Sequence, residues 1–120
     1  MPKSDEELYA LLKAQLSPAE LGHGVVYTLT TPLAKGITLE FPQRTLCTPW
    51  DALLAFVDRE PLANWGHSSR YILMNRETGT VESVEARLPP FRREDPLRWR
   101  VFYQAPGVPD TALALPKLPT

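Results

Sequence analysis

The start of the chain carries apolar residues at helical spacing. The apolar stripe consists of Leu8, Leu11, Leu12 and Leu16. Ser4 precedes this stripe, and Glu7 follows three residues later. This is the spacing of a capping box, which satisfies free backbone N–H groups where a helix begins. The same signal recurs at 17–20, with a proline at the first helical position. The pattern therefore predicts an N-terminal helix and a second short helical turn that ends at 22–24.

Helical spacing recurs in the segment 48–58, TPWDALLAFVD. Its regularly spaced apolar residues are Trp50, Leu53, Leu54 and Val57. Thr48 suits an N-cap, Pro49 suits the first helical position, and Asp51 suits the positive end of a helix dipole. These features predict a short amphipathic helix over 48–58 that packs on the sheet.

Segments rich in β-branched and aromatic residues, several of them with alternating polarity, predict five strands. The segments are 25–30, 36–41, 70–75, 80–88 and 97–103. Residues 31–36 are predicted to join the first two strands as a hairpin loop. Gly79, in the sequence RETG, suits the left-handed conformation that closes a hairpin between the third and fourth.

The order of these elements predicts an α+β fold, because helices and antiparallel hairpins are segregated along the chain. We expect a mostly antiparallel sheet of about five strands, with an N-terminal helix and a second short helix packed on one face. The length of 120 residues suits a single domain. The 13 prolines are about twice the usual share and cluster at turns and in the last third. We therefore predict one domain over 1–104 and an extended proline-rich tail over 105–120.

Composition excludes several classes of function. A net charge of −1 gives no overall field that attracts nucleic acid or an anionic membrane. Cys47 is the only cysteine, which excludes an intrachain disulfide and a cysteine-rich zinc site. The sequence shows neither a secretory signal layout nor an apolar run long enough to cross a bilayer. The expectation is a soluble protein of the bacterial cytoplasm that has no membrane partner.

The loop 63–70, ANWGHSSR, is the first candidate for catalysis. His67 could act as a general base, with Ser68 or Ser69 as nucleophile and Asp58 as the residue that orients the imidazole. No G-x-S-x-G nucleophile elbow accompanies them. In the alternative interpretation, the histidine and serines satisfy backbone groups of the loop.

Cys47 and His67 form a second candidate pair, a thiol nucleophile and its base. The predicted helix at 48–58 would lower the pKa of the thiol, although most free cysteines are inert and buried. We expect no metal site, because His23 and His67 are far apart and lack any metal-binding spacing. We expect no cofactor either, since no glycine-rich phosphate loop is present.

The segment 87–100 combines arginines with aromatic residues. The arginines include Arg92 and Arg93, and the aromatic residues are Phe91 and Trp99. Such a mixture stacks on bases and binds phosphates in single-stranded nucleic acid, and it also anchors protein interfaces. Acidic residues at 94–95 and the slightly acidic chain favour a protein partner over nucleic acid. A solvated strand face that binds no partner is favoured over both.

Residues 71–89, YILMNRETGTVESVEARLP, resemble a known strand–turn–strand element. The pattern D/N-x-x-T-G-x-V recurs in PepSY-type propeptide domains and in small cystatin-like bacterial immunity proteins. The order of helix and then sheet is similar too. The resemblance implies a non-catalytic role, the binding and blocking of a protease or toxin. It covers about a sixth of the chain and carries over no functional residue.

These observations favour a small non-enzymatic protein-binding module, such as an inhibitor, immunity or accessory protein. The residues expected to bind the partner are Trp65, His67, Arg70, Arg92, Arg93 and Trp99. The oligomeric state stays open. The alternatives are a small hydrolase or transferase that uses His67 with Cys47 or Ser68, and single-stranded nucleic-acid binding through 87–100.

Overall fold

A computed structural model describes residues 2–41, 44–63, 67–87 and 99–113. The helices are α1 (Asp5–Ala14) and α2 (Pro18–His23). The strands are β1 (Val25–Leu29), β2 (Thr38–Phe41), β3 (Arg44–Cys47), β4 (Ala52–Asp58), β5 (Ser69–Asn75), β6 (Val81–Ala86) and β7 (Trp99–Gln104). A 3₁₀ turn, Asp110–Ala112, follows β7.

Five strands form an antiparallel sheet in the order β6-β5-β4-β1-β7, and β2 and β3 form a separate two-stranded sheet. The protein therefore has an α+β fold, as predicted. Both helices begin with a complete capping box, made by Ser4 with Glu7 and by Ser17 with Glu20.

The five-stranded sheet lies between two layers. Neighbouring residues of β4 face opposite sides, so that Leu53, Ala55 and Val57 join one core cluster while Ala52, Leu54 and Phe56 join the other. On the first side, the leucine stripe of α1 covers the sheet through Leu8, Leu12 and the following Leu16. On the second side, the β2–β3 hairpin covers it, and the ring of Phe41 stacks on that of Tyr71 at 4.9 Å. Two sequence-distant elements thus bury the two faces of one sheet.

The predicted helix over 48–58 is wrong, because residues Ala52–Asp58 form strand β4. This strand lies between β1 and β5, and each of its seven residues is buried. A strand that is buried on both faces is apolar at nearly every position. Some of its apolar residues therefore fall at helical spacing by coincidence. Length favours the strand too, since the run between Asp51 and Asp58 spans only six residues.

The predicted hairpin between 25–30 and 36–41 is also wrong in its pairing. Strand β1 pairs with β4 and β7, whereas β2 pairs with β3 in the other sheet. Residues Arg44–Cys47, which the sequence pattern did not identify as a strand, supply the partner of β2. Strand β1 thus pairs with two strands that are distant along the chain, whereas β2 pairs with the strand that directly follows it, and local alternation does not distinguish these two cases.

The β5–β6 hairpin agrees with the prediction. Its turn places Gly79 at a φ of 79°, a left-handed conformation that glycine adopts without steric cost. Strand β7 matches the strand predicted over 97–103, apart from its bounds.

The described part of the predicted tail lies on the domain. Ala105 and Val108 are buried against the core cluster beneath the β2–β3 hairpin, and the backbone N–H of Ala105 donates to Gly24 O at 3.0 Å. Neither helix in the described part of the chain has the length and apolar character needed to span a membrane.

Candidate functional site

Polar side chains converge where α2 meets the end of β4 and the start of β5. Glu20, in the first turn of α2, lies at the centre of this group, with its side chain only 3% exposed. Arg59, directly after β4, and Arg70, in β5, both reach this carboxylate. The capping box of α2 fixes the position of the glutamate, and the antiparallel β4–β5 pair brings the two arginines to it.

Both carboxylate oxygens of Glu20 accept two hydrogen bonds. Oε1 accepts from the backbone N–H of Ser17 and from Arg70 Nη2, each at 2.8 Å. Oε2 accepts from Arg59 Nε at 3.0 Å and from Arg70 Nε at 2.9 Å. A buried charge with this many donors is compensated, whereas a buried charge without partners is strongly unfavourable.

The environment of Glu20 keeps its carboxyl group ionised. Burial by itself raises the pKa of a carboxyl group, but the hydrogen bonds from Arg70, Ser17 and Arg59 outweigh it. The pKa of Glu20 therefore lies below its ordinary value of 4.5. This ion-pair cluster joins α2 to the sheet.

Arg59 extends the cluster to the surface. Its Nη1 donates to Ser68 Oγ at 2.7 Å and to Glu85 Oε1 at 2.6 Å, and its Nη2 donates to Glu85 Oε2 at 3.0 Å. Glu85 lies on the edge strand β6, and its side chain is 64% exposed. The hydrogen bond from Arg59 lowers the pKa of Glu85. One guanidinium thus joins a buried carboxylate to an exposed one.

A second buried pair lies nearby. His67 Nε2 is 2.6 Å from Asp58 Oδ1, and the two side chains are 5% and 2% exposed. The contact joins the two ends of the β4–β5 connection, and the backbone N–H of Glu60 also donates to Asp58 at 3.0 Å. Burial raises the pKa of Asp58, and the contact with His67 opposes this shift without cancelling it. The hypothesis that Asp58 orients a catalytic His67 requires such a contact, and the catalytic role of His67 stays a prediction.

A cleft of about 850 Å³ opens beside the ion-pair cluster. Its walls are α2, the residues that follow β4, and the turn after β7. The lining residues are Ser17, Ala19, Glu20, Gly22, His23, Arg59, Glu60, Pro61, Leu62, Ala63, Ser68, Gly107 and Val108. Leu62 is 75% exposed. The cleft combines an apolar surface with a few polar groups, which is typical of binding sites, and its volume lies in their usual range.

The structure places the predicted catalytic residues in separate surroundings. Ser68 accepts a hydrogen bond from Arg59, and Ser69 is fully buried in β5. Cys47 is exposed near the start of β4, and His67 contacts Asp58 at the other end of that strand. The seven residues of β4 separate its ends by about 20 Å. The structure thus brings His67 to Asp58 and does not bring it to Cys47.

The predicted partner-binding residues are also distributed. Arg70 is engaged with Glu20, and His67 is buried. Trp99 is 5% exposed and packs in the core, so its ring is not accessible to a binding protein. Trp65, Arg92 and Arg93 lie outside the described residues, as does most of the segment 87–100.

Sequence reasoning missed the two residues that matter most for the cluster. Glu20 was recognised only as part of a helix start, and Arg59 was not singled out. The sequence offers one signal for Glu20. It contains two S-x-x-E capping boxes, and the second box, at 17–20, comes shortly before the buried strand β1. No local pattern indicates that two arginines would reach it. Among the described residues, no group of three or more His, Cys, Asp or Glu side chains could hold a metal ion.

Comparisons with protein-family models, with curated proteins and with solved structures found no match to this chain.

Proposed function

We propose that the protein is a non-enzymatic module that binds a partner protein through the cleft between α2 and residues 59–63. The observation that carries this proposal is the exposure of Leu62, 75%, on the wall of a cleft of about 850 Å³. Large apolar side chains that border a concave surface are typical of interaction sites. Ala19, Pro61 and Val108 extend the apolar lining.

The mechanism that we propose is steric. A segment of the partner fills the cleft, and the ion-pair cluster around Glu20 holds α2 and the end of β4 in place as its walls. Rigid walls reduce the loss of conformational entropy on binding. The inhibitor or immunity role that the resemblance of residues 71–89 implies belongs to this proposal, since blocking a protease or toxin requires binding alone.

The buried Asp58–His67 contact favours the hydrolase alternative, because an oriented imidazole is part of many nucleophilic sites. The positions of the nucleophiles favour the binding module. Ser68 Oγ accepts a hydrogen bond from the guanidinium of Arg59. A guanidinium stabilises negative charge on this oxygen, but it does not remove the proton of the serine hydroxyl.

Filling the cleft tests the proposed function. Gly22 lines the cleft, and a Cβ atom added there meets nothing within 4 Å. Gly22→Trp should therefore fill the cleft while α2 keeps its fold. A random peptide library displayed on phage and selected on the wild-type protein should yield peptides rich in apolar residues. We expect Gly22→Trp to weaken their binding by about tenfold or more.

Ala10→Trp is the matched control, because Ala10 is exposed on α1, away from the cleft. It should leave the affinity of the selected peptides unchanged. If no peptide is enriched, or if the selected peptides bind Gly22→Trp as tightly as the wild-type protein, the proposed function is wrong. Circular dichroism of both variants shows whether the fold is retained.

A further inference from the structure

The charges on the lining of the cleft do not cancel. Glu20, Arg59 and Glu60 are the lining residues that are charged at neutral pH when histidine is neutral. Glu20 and Arg59 belong to the ion-pair cluster, in which Arg59 and Arg70 face Glu20 and Glu85. Two positive charges balance two negative charges there, so the cluster contributes little net field to the cleft.

Glu60 is the lining charge that the cluster leaves unbalanced. It directly follows Arg59 and is exposed, and no ion pair joins its carboxylate to another residue in the described part of the chain. Its backbone N–H donates to Asp58 Oδ1 at 3.0 Å, and its C=O accepts from the N–H of Ala63 at 2.9 Å. The backbone that carries this negative charge is therefore held in place.

The negative charge of Glu60 acts on its surroundings. Burial is the main cause that raises the pKa of Asp58, and the charge of Glu60 acts in the same direction. At physiological ionic strength, a charge acts over about 8 Å before salt screens it. The field of Glu60 therefore reaches an occupant of the cleft in any orientation of this exposed side chain.

The lining next to this charge is apolar. Pro61, Leu62 and Ala63 directly follow Glu60, and Leu62 is 75% exposed. Lysine and arginine suit such a surface, because their methylene groups pack on apolar side chains while their charged ends reach a carboxylate. An acidic side chain does not suit it, since Arg59, the one arginine or lysine of the described lining, already faces two glutamates.

We propose that the partner segment bound in the cleft is basic as well as apolar, and that one of its lysine or arginine side chains packs on Leu62 and pairs with Glu60. This inference rests on the proposed function and specifies the chemistry of the partner. The partner is a protein segment in which Lys or Arg lies next to apolar side chains. The apolar lining supplies the contact area, and Glu60 selects the charge.

Glu60→Gln tests the proposed pairing, because it removes the charge and leaves the backbone hydrogen bonds of residue 60. Basic peptides from the phage selection should bind this variant about two- to fivefold more weakly than the wild-type protein, as expected for loss of an exposed ion pair. The same peptides with their basic residue replaced by glutamine should bind both proteins with equal affinity. Isothermal titration calorimetry measures all four combinations.

Glu82→Gln is the matched control. Glu82 is exposed on β6 and does not line the cleft. Its replacement changes the net charge equally and should leave the affinity of basic peptides unchanged. A loss of affinity of equal size in both variants would show a general charge effect and overturn the proposed pairing.

Glu60→Lys reverses the charge and should reverse the selectivity. This variant should bind the basic peptides more weakly than Glu60→Gln does. It should bind peptides whose basic residue is replaced by glutamate more tightly than the wild-type protein does. Basic peptides that bind Glu60→Lys as tightly as the wild-type protein would overturn the pairing.

The outcomes separate this inference from the proposed function. Selected peptides that are blocked by Gly22→Trp but contain no lysine or arginine, or that do not respond to Glu60→Gln, overturn the inference and leave the cleft as the binding site. A selection that enriches no peptide overturns both. Basic peptides that lose affinity in Glu60→Gln and not in Glu82→Gln support the inference.

Discussion

Replacing Glu20 with alanine is expected to lower the free energy of unfolding by about 3–5 kcal/mol, the usual penalty for breaking a buried ion pair by removal of one partner. The variant leaves the guanidinium of Arg70, whose side chain is 15% exposed, without its carboxylate. It also removes the capping contact with the backbone of Ser17. Urea unfolding followed by circular dichroism measures the change.

Glu7→Ala provides a matched control within the same chain. Glu7 occupies the same position in the capping box of α1, but it is exposed, and its one ion-pair partner among the described residues is Lys3, at 3.9 Å. Loss of a capping contact alone costs about 1 kcal/mol. A Glu20→Ala variant that is no less stable than Glu7→Ala would contradict the structural role given to the arginines.

The contribution of Glu20 to the free energy of unfolding should depend on pH. Its pKa in the folded protein lies below the ordinary value of 4.5, so the unfolded chain takes up the proton first as the pH falls. The stabilisation is complete above the unfolded-state pKa and is lost as the pH falls through the folded-state pKa. The stability difference between the wild-type protein and Glu20→Ala should therefore shrink below about pH 4.5.

Replacing His67 with alanine is expected to destabilise the protein by about 2–4 kcal/mol, because Asp58 then loses its partner in a buried position. When Asp58 is ionised, His67 Nε2 must carry the proton in their 2.6 Å contact. Asp58→Asn combined with His67→Ala should cost less than the sum of the two single variants, since the double variant leaves no buried carboxylate unpaired. Thermal unfolding of the four proteins measures this coupling.

The same variant addresses the hydrolase alternative. If His67 acts as the general base of a hydrolase, the His67→Ala variant should lose its hydrolase activity and keep its fold. If His67 instead holds the two ends of the β4–β5 connection, the loss appears in stability, and peptides bound in the cleft retain their affinity under folded conditions. Additive effects of Asp58→Asn and His67→Ala would contradict the structural pairing.

The helix starts and the β5–β6 hairpin were predictable because their signals are local. In each helix, the two residues of the capping box lie within four positions of each other along the chain. A single glycine, Gly79, determines the turn between β5 and β6. Strand β4 was not predictable in this way. Its apolar run has no polar face because layers cover it on both sides: α1, which is far away along the chain, and the β2–β3 hairpin, which comes shortly before it.

The candidate site was predicted only in part, for a related reason. Asp58 and His67 are close in sequence, and the loop between them suggested their contact. In the ion-pair cluster, Glu20 contacts Arg59, which is 39 positions away along the chain, and Arg70, which is 50 positions away. No rule of local spacing could predict contacts over such distances. Burial of a glutamate in a capping box is a property of the packed fold, and the sequence of α2 does not distinguish it from the exposed box of α1.

The most direct measurement of the proposed binding site is nuclear magnetic resonance of the isotope-labelled protein during titration with a peptide from the phage selection. We expect chemical-shift changes at Ala19, Gly22 and Leu62, together with the side-chain Nε–H of Arg59. Shift changes confined to α1 and β7, with these four residues unchanged, would contradict binding in the cleft and place the partner on another surface.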